Sequence, residues 1–134
     1  MRKVVLDTNI LVSALWSKQG NPFRIVEMFF SGEIVLYYTT EMIEEYEEVL
    51  CREKFGFPKG QVKSLLDELK KNGVLGESVD TGPEVFVDET DRKFYNAAKT
   101  YDATLITGNI KHYPDKPFIL TPNDFLQAFG TQER

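Results

Sequence analysis

Acidic side chains at the ends of apolar segments are the residues of this chain best suited to chemistry. In "VVLDTNILVSALW", residues 4–16, a single aspartate, Asp7, separates two aliphatic runs. A carboxylate in an apolar setting is costly unless it is hydrated, paired or bound to a metal. Two further sources of acids follow: the run "TEMIEEYEEVL" and the stretch "VDETDRKFYNAAKTYDATLITGN". Clustered carboxylates repel and their proton affinities rise unless a cation compensates. An oxygen-only set of Asp7, one glutamate of the run and Asp91, with no cysteine among them, suits Mg²⁺ or Mn²⁺ rather than zinc. Mg²⁺ keeps several waters and shares its remaining positions with phosphate oxygens. Phosphoryl chemistry is the expected destination, with the ion activating water and stabilising developing negative charge.

The elements must bring these acids together. "KVVLD" reads as a strand buried on both faces, because its aliphatic residues are continuous rather than alternating. "TNILVSALW" reads as helix, broken at Gly20-Asn21-Pro22 before a second helix carrying Phe23, Ile25, Val26, Met28, Phe29 and Phe30. "IVLYYT" is a second strand, and Thr40 is expected to cap the helix "EMIEEYEEVLCREKF". Another helix begins near Pro58 and stops at Asn72-Gly73. A weaker strand is expected near 77–79 or 85–87, then helix over 91–101, the strands "ATLIT" and "FILTP", and a closing helix over 123–129. Strands alternating with helices imply an α/β three-layer sandwich around a mainly parallel sheet. In such sheets ligands collect beyond the carboxyl ends of the strands, where strand order reverses. Asp7 stands at one such end and Thr107-Gly108-Asn109 at another.

Helical geometry sorts the glutamates only in part. On a wheel of ~100° per residue, Met42, Ile43, Tyr46, Val49 and Leu50 form one apolar arc, and Glu41, Glu44 and Glu48 point away from it. Glu45 and Glu47 each lie roughly 40° outside opposite borders of the arc, so periodicity leaves both open. Asp91 stands three residues before Phe94 at a first turn, where a cap and a site ligand are equal readings. Asp88 or Thr90 could take the capping role instead. Taken alone, Asn109 reads as a turn residue, His112 as a surface or packing histidine, and Lys111 as an exposed lysine.

Composition bounds the rest. The chain has 134 residues, 42% of them hydrophobic, enough for a single domain over residues 1–134 and too little for two. No apolar run approaches the ~20 residues of a membrane helix, and the N-terminus does not read as a signal peptide; a soluble, cytoplasmic protein is expected. Cys51 is the only cysteine, which excludes an intramolecular disulfide, and it reads as buried filler. The net charge of −5 argues against broad attraction to nucleic acid phosphates. Nucleic acid activity must then rest on local basic groups or bound cations.

With these pieces in order, the chain resembles the PIN-domain nucleases, particularly the small VapC-like toxins of toxin–antitoxin pairs. The resemblance rests on "VVLDTNILVSAL", "TTEMIEEYEEVLCREKF", "VDETDRKFYNAAKTYDATLITGNIKHYP" and "ILTPNDFL", which together span nearly the whole chain. It implies a sheet of order 3-2-1-4-5 and a metal-dependent endoribonuclease restrained by a cognate antitoxin. Apart from the resemblance, the aromatic residues of the second helix and of Tyr37-Tyr38 offer an apolar surface for a homodimer or an antitoxin, although core packing accounts for most of them. The resemblance carries the metal acids onto Asp7, Glu45 and Asp91, and so selects Glu45 over Glu47. It also implies that Asn9 and Thr107 orient the acids or water and that Lys111 lies near substrate phosphate. Many relatives read T-G-D where this chain has Thr107-Gly108-Asn109, so one negative charge is missing and Asn109 is a weaker ligand. Asp102 and Asp115 lie nearby in sequence but match no part of the pattern.

Two other classes compete. A phosphoaspartyl receiver or phosphatase-like domain also places an aspartate at a strand end beside Mg²⁺. Against it, Asn9 stands where such phosphatases prefer a second aspartate, and Thr107-Gly108 where a receiver expects lysine. The other is a PIN binding module weakened in catalysis by Asn109. Asn109→Asp is expected to bind Mn²⁺ more tightly and to cleave faster. An unchanged affinity on titration would place Asn109 outside the ligand set.

Overall fold

Val4, Val5 and Leu6 point alternately to the two faces of strand β1 (Arg2–Leu6), yet all three are buried. Both faces of the sheet are therefore covered, which is why the segment is continuously apolar. In the computed structural model, which describes residues 1–130, β1 is the central strand. It pairs in parallel with β2 (Ile34–Tyr38) on one side and β4 (Thr104–Ile106) on the other. The two-residue strands β3 (Val74–Leu75) and β5 (Ile119–Leu120) add in parallel at the edges. The order is β3-β2-β1-β4-β5, as expected. The chain builds outward from β1 in one direction, then crosses the sheet to β4. The reversal of order falls between β1 and β4, and in open α/β sheets ligands bind beyond the carboxyl ends at such a point.

The helices are α1 (Thr8–Trp16), α2 (Asn21–Phe30), α3 (Thr40–Leu50), α4 (Lys59–Asn72), α5 (Arg92–Tyr101) and α6 (Pro122–Phe125). The last winds on in π geometry over Leu126–Gly130, so the expected helix over 123–129 is not α-helical throughout. Helix α5 packs on β1, β2 and β4, burying Phe94, Tyr95, Ala97 and Ala98, and also meets α3, where Phe94 stacks on Tyr46. Tyr46 is itself buried and donates from its hydroxyl to the Leu6 carbonyl at 2.5 Å. That bond ties α3 to the residue before Asp7. Among the described residues no helix is long and apolar enough to cross a membrane.

Three expectations are corrected. The cap of α3 is Thr39, not Thr40: its hydroxyl accepts from the Met42 N–H at 3.2 Å. The third strand is Val74–Leu75 rather than 77–79 or 85–87, because pairing beside β2 reaches only Tyr37 and Tyr38. Beyond it, Tyr101 takes Glu77 out of the ladder by accepting from its N–H (2.7 Å) and donating to its carbonyl (2.8 Å). Val85 and Val87 are left exposed, and Phe86 alone turns inward onto Tyr95 and Tyr113. Cys51 is exposed rather than buried, since it terminates α3 instead of lying on its apolar face.

Tyr46→Phe should lower stability by about 1–3 kcal/mol, because it leaves a buried carbonyl without this donor. Urea denaturation measures the loss. A midpoint equal to wild type would mean that the Tyr46–Leu6 bond does not hold α3 to β1.

Candidate active site at the carboxyl ends of β1 and β4

Asp7 continues the ladder of β1 through its N–H, which donates to the Ile106 carbonyl at 3.0 Å. It stands at the N-cap position of α1, yet its side chain makes no capping bond. Its Oδ2 instead accepts from the Thr107 hydroxyl at 2.8 Å and the Tyr113 hydroxyl at 2.9 Å. The residue is 5% exposed. Burial pushes its carboxyl above the usual range, the Thr107 and Tyr113 bonds pull it partly back, and the charge of Glu45 adds to the rise.

Glu45 reaches this edge from α3, whereas Glu47 is exposed, so the fold separates the two residues that the helical wheel left equal. Glu45 Oε2 accepts from the Thr8 hydroxyl at 2.5 Å, and Oε1 lies 2.7 Å from Lys93 Nζ. Asp91 closes a 3-10 turn (Glu89–Asp91) immediately before α5. Asp88 performs the capping, accepting from the Thr90 N–H at 3.0 Å, and Asp91 caps nothing. Burial, reinforced by the charges of Asp7 and Asp88, pushes the Asp91 carboxyl up to about 6. His112 Nδ1 lies 3.7 Å from its Oδ2 and pulls the other way.

The remaining candidates frame these acids. Thr107, wholly buried, donates to Asp7 and accepts from the Asn109 N–H at 2.9 Å. Asn9 Oδ1 accepts from the Gly108 N–H at 2.9 Å, so it pins the loop after β4 rather than an acid. Asn109 is exposed, and no hydrogen bond joins its side chain to the acids. Lys111 and His112 lie exposed on the 3-10 turn Ile110–His112 that follows. Asp102 caps the far end of α5 in the left-handed conformation (φ 54°), at the opposite end of β4, and Asp115 lies exposed in a loop.

Sequence reasoning missed Thr8, Lys93 and Tyr113. Thr8 adjoins Asp7 and is the one that position alone could have suggested. Tyr113 lies in a loop with no period to read, and Lys93 looks like an ordinary lysine in a first helical turn. Tyr113 is a donor by environment: burial and the charge of Asp7 push its phenol far up, so it keeps its proton.

In chemistry this donor set fits a hard divalent cation. It is oxygen-only, and the carboxyls of Asp7 and Asp91 are raised first by burial and then by neighbouring negative charge. As the side chains stand, no three His, Cys, Asp or Glu among the described residues close around a common metal position. Glu45 is turned onto Thr8 and Lys93.

The site places acids beyond the switch point of a parallel α/β sheet, and comparison with known proteins gives the family. The family model described as the PIN domain matches residues 3–111, and the chain belongs to that family. It is 31% identical over 109 residues to the uncharacterized protein MJ1680 of Methanocaldococcus jannaschii, covering 80% of this chain and 70% of that one. It is also similar to the crystal structure of VapBC2 from Rickettsia felis bound to a DNA fragment from their promoter. That likeness has a TM-score of 0.57 and 19% identity, over 89% of this chain and 96% of that one.

The raised Asp91 pKa gives a pH signature. Between the unfolded carboxylate range of about 4 and the folded value of about 6, the native state binds more protons than the unfolded one. Asp91 therefore subtracts from stability as pH rises through that window. In EDTA, Asp91→Asn should gain stability relative to wild type between pH about 4 and about 7, as urea midpoints would show. An offset independent of pH would contradict the assignment.

Proposed function

We propose that this PIN domain is a metal-dependent endoribonuclease that hydrolyses RNA phosphodiesters and serves as the toxin of a toxin–antitoxin pair. PIN domains are generally nucleases that use divalent metal ions. The observation that carries the reading is the buried Asp7 carboxylate, coupled by charge to Glu45 and Asp91 at the switch point of the sheet. Asp7, Glu45 and Asp91 would hold Mg²⁺ or Mn²⁺, with Asn109 a weak further ligand. When bound, the ion supplies an activated water and offsets charge on the phosphodiester. The Thr107 and Tyr113 hydroxyls fix the orientation of Asp7. Asn9 holds the Gly108 backbone and so the position of the loop that carries Asn109. Lys111 lies exposed just beyond, where it can meet a substrate phosphate.

An antitoxin partner is supported by a groove of about 520 Å³ between α1, α2 and α4, lined by Ala14, Leu15, Phe23, Val26, Phe30 and Leu65. Trp16, 64% exposed at the end of α1, adds to the apolar surface. The structural likeness to VapBC2 is a separate support for an antitoxin partner. A second copy of this chain is the other candidate for the same face.

Pure protein with Mn²⁺ should cleave structured RNA to leave 5′-phosphate and 3′-hydroxyl ends, because water rather than the ribose 2′-hydroxyl is the nucleophile. Asp7→Asn should lower the rate on the order of 100-fold or more. A 2′,3′-cyclic phosphate product, or equal cleavage by the variant, would sink this reading. A stable phosphoaspartate on Asp7 after treatment with a small phosphodonor would favour the receiver or phosphatase class instead.

A further inference from the structure

Lys93 is the cation already inside the acid cluster. Its Nζ lies 2.7 Å from Glu45 Oε1, with side-chain exposures of 14% for the lysine and 24% for the glutamate, so the pair is largely shielded from water. The same ammonium donates to the Thr90 carbonyl, and it lies 5.3 Å from the centre of the Phe94 ring. The other oxygen of Glu45 is held by Thr8 at 2.5 Å. Both carboxylate oxygens of Glu45 are thus engaged by the protein, and among the described residues no three acids close around one point. Among the described residues no lysine or arginine pairs with Asp7 or Asp91: Thr107 and Tyr113 give Asp7 neutral hydroxyls, and Asp91 has His112 at 3.7 Å.

We propose that Lys93 is an internal counter-cation that holds Glu45 in the metal-free protein and must release it before Glu45 can join Asp7 and Asp91 around a divalent ion. The inference rests on the reading of these three acids as metal ligands. A lysine suits the exchange, because its compact charge sits on a flexible stem. Released from Glu45, the ammonium keeps its bond to the Thr90 carbonyl, so the movement needs only side-chain rotation. The ligand set is then available for only a fraction of the time, and apparent metal affinity is reduced by that fraction.

Mn²⁺ titrations read by electron paramagnetic resonance of the free ion test this on wild type, Lys93→Met, Glu45→Gln and the double variant. Lys93→Met should bind Mn²⁺ about tenfold more tightly, the factor for a ligand free about one-tenth of the time. Glu45→Gln should bind less tightly, and adding Lys93→Met to it should give no further gain. Ordinary charge repulsion between Lys93 and the ion would leave the tenfold gain intact in the Glu45→Gln background, and that result would overturn the exchange. In EDTA, Lys93→Met should also melt at lower temperature, since Glu45 loses its partner. Lys93→Gln, which keeps a donor without the charge, should show the same gain in affinity, and an affinity equal to wild type in both Lys93 variants would refute the proposal. If instead wild type and Asp7→Asn bind Mn²⁺ alike, the assignment of the acids themselves fails.

Discussion

Burying the carboxylate of Asp7 at the end of β1 removes hydration that its charge would otherwise have, and the neighbouring groups are arranged around that loss. Thr107 comes from the strand beside it and Tyr113 from the loop beyond, and both direct hydroxyls at one oxygen. Neutral donors soften the desolvation without cancelling the charge. Asp7 stays proton-hungry, and its field lifts Asp91 as well. A site with surplus negative charge and little water is an electrostatic demand for a cation. Among the described residues Lys93 meets that demand at Glu45, and His112 lies 3.7 Å from Asp91.

The positions of the acids follow from how the sheet is wired. Because β1 is central and parallel to both neighbours, the residues following β1 and β4 emerge side by side. Residues 100 positions apart, Asp7 and Thr107, become hydrogen-bonded partners. Helix α3 and the 3-10 turn leading into α5 supply the other two acids, and the packing of α3 on α5 through Tyr46 and Phe94 sets how near Glu45 and Asp91 approach. The core and the site thus share residues: Tyr46 packs on Phe94 while its hydroxyl holds the carbonyl preceding Asp7.

Much of this was legible in the chain. Continuous aliphatic residues before Asp7 marked a strand covered on both faces, and the alternation of strands and helices marked the parallel sheet. Where the sequence was silent, the physics was tertiary. Glu45 and Glu47 are equivalent on an isolated helix; the family resemblance selects Glu45, and its physical distinction is the approach of Thr8 and Lys93. Asp91 is relieved of capping because Asp88 takes that role through an Asx-type bond, which composition does not reveal. The valines of 77–87 carry strand propensity but lack a strand to pair with, so propensity misplaced β3. Tyr113 looked like any loop aromatic, although Phe86 and Asp7 fix its two ends.

The brevity of β3 has a consequence for how the molecule meets others of its kind. An outer strand exposes unpaired amides and carbonyls that a second chain can extend. Here both outer strands are two residues long, and the stretch after β3 is held aside at Glu77 by Tyr101 before it can lengthen the ladder. The sheet stops before it offers a template. A tyrosine that appears only to fasten a loop thereby guards the fold against edge-to-edge aggregation.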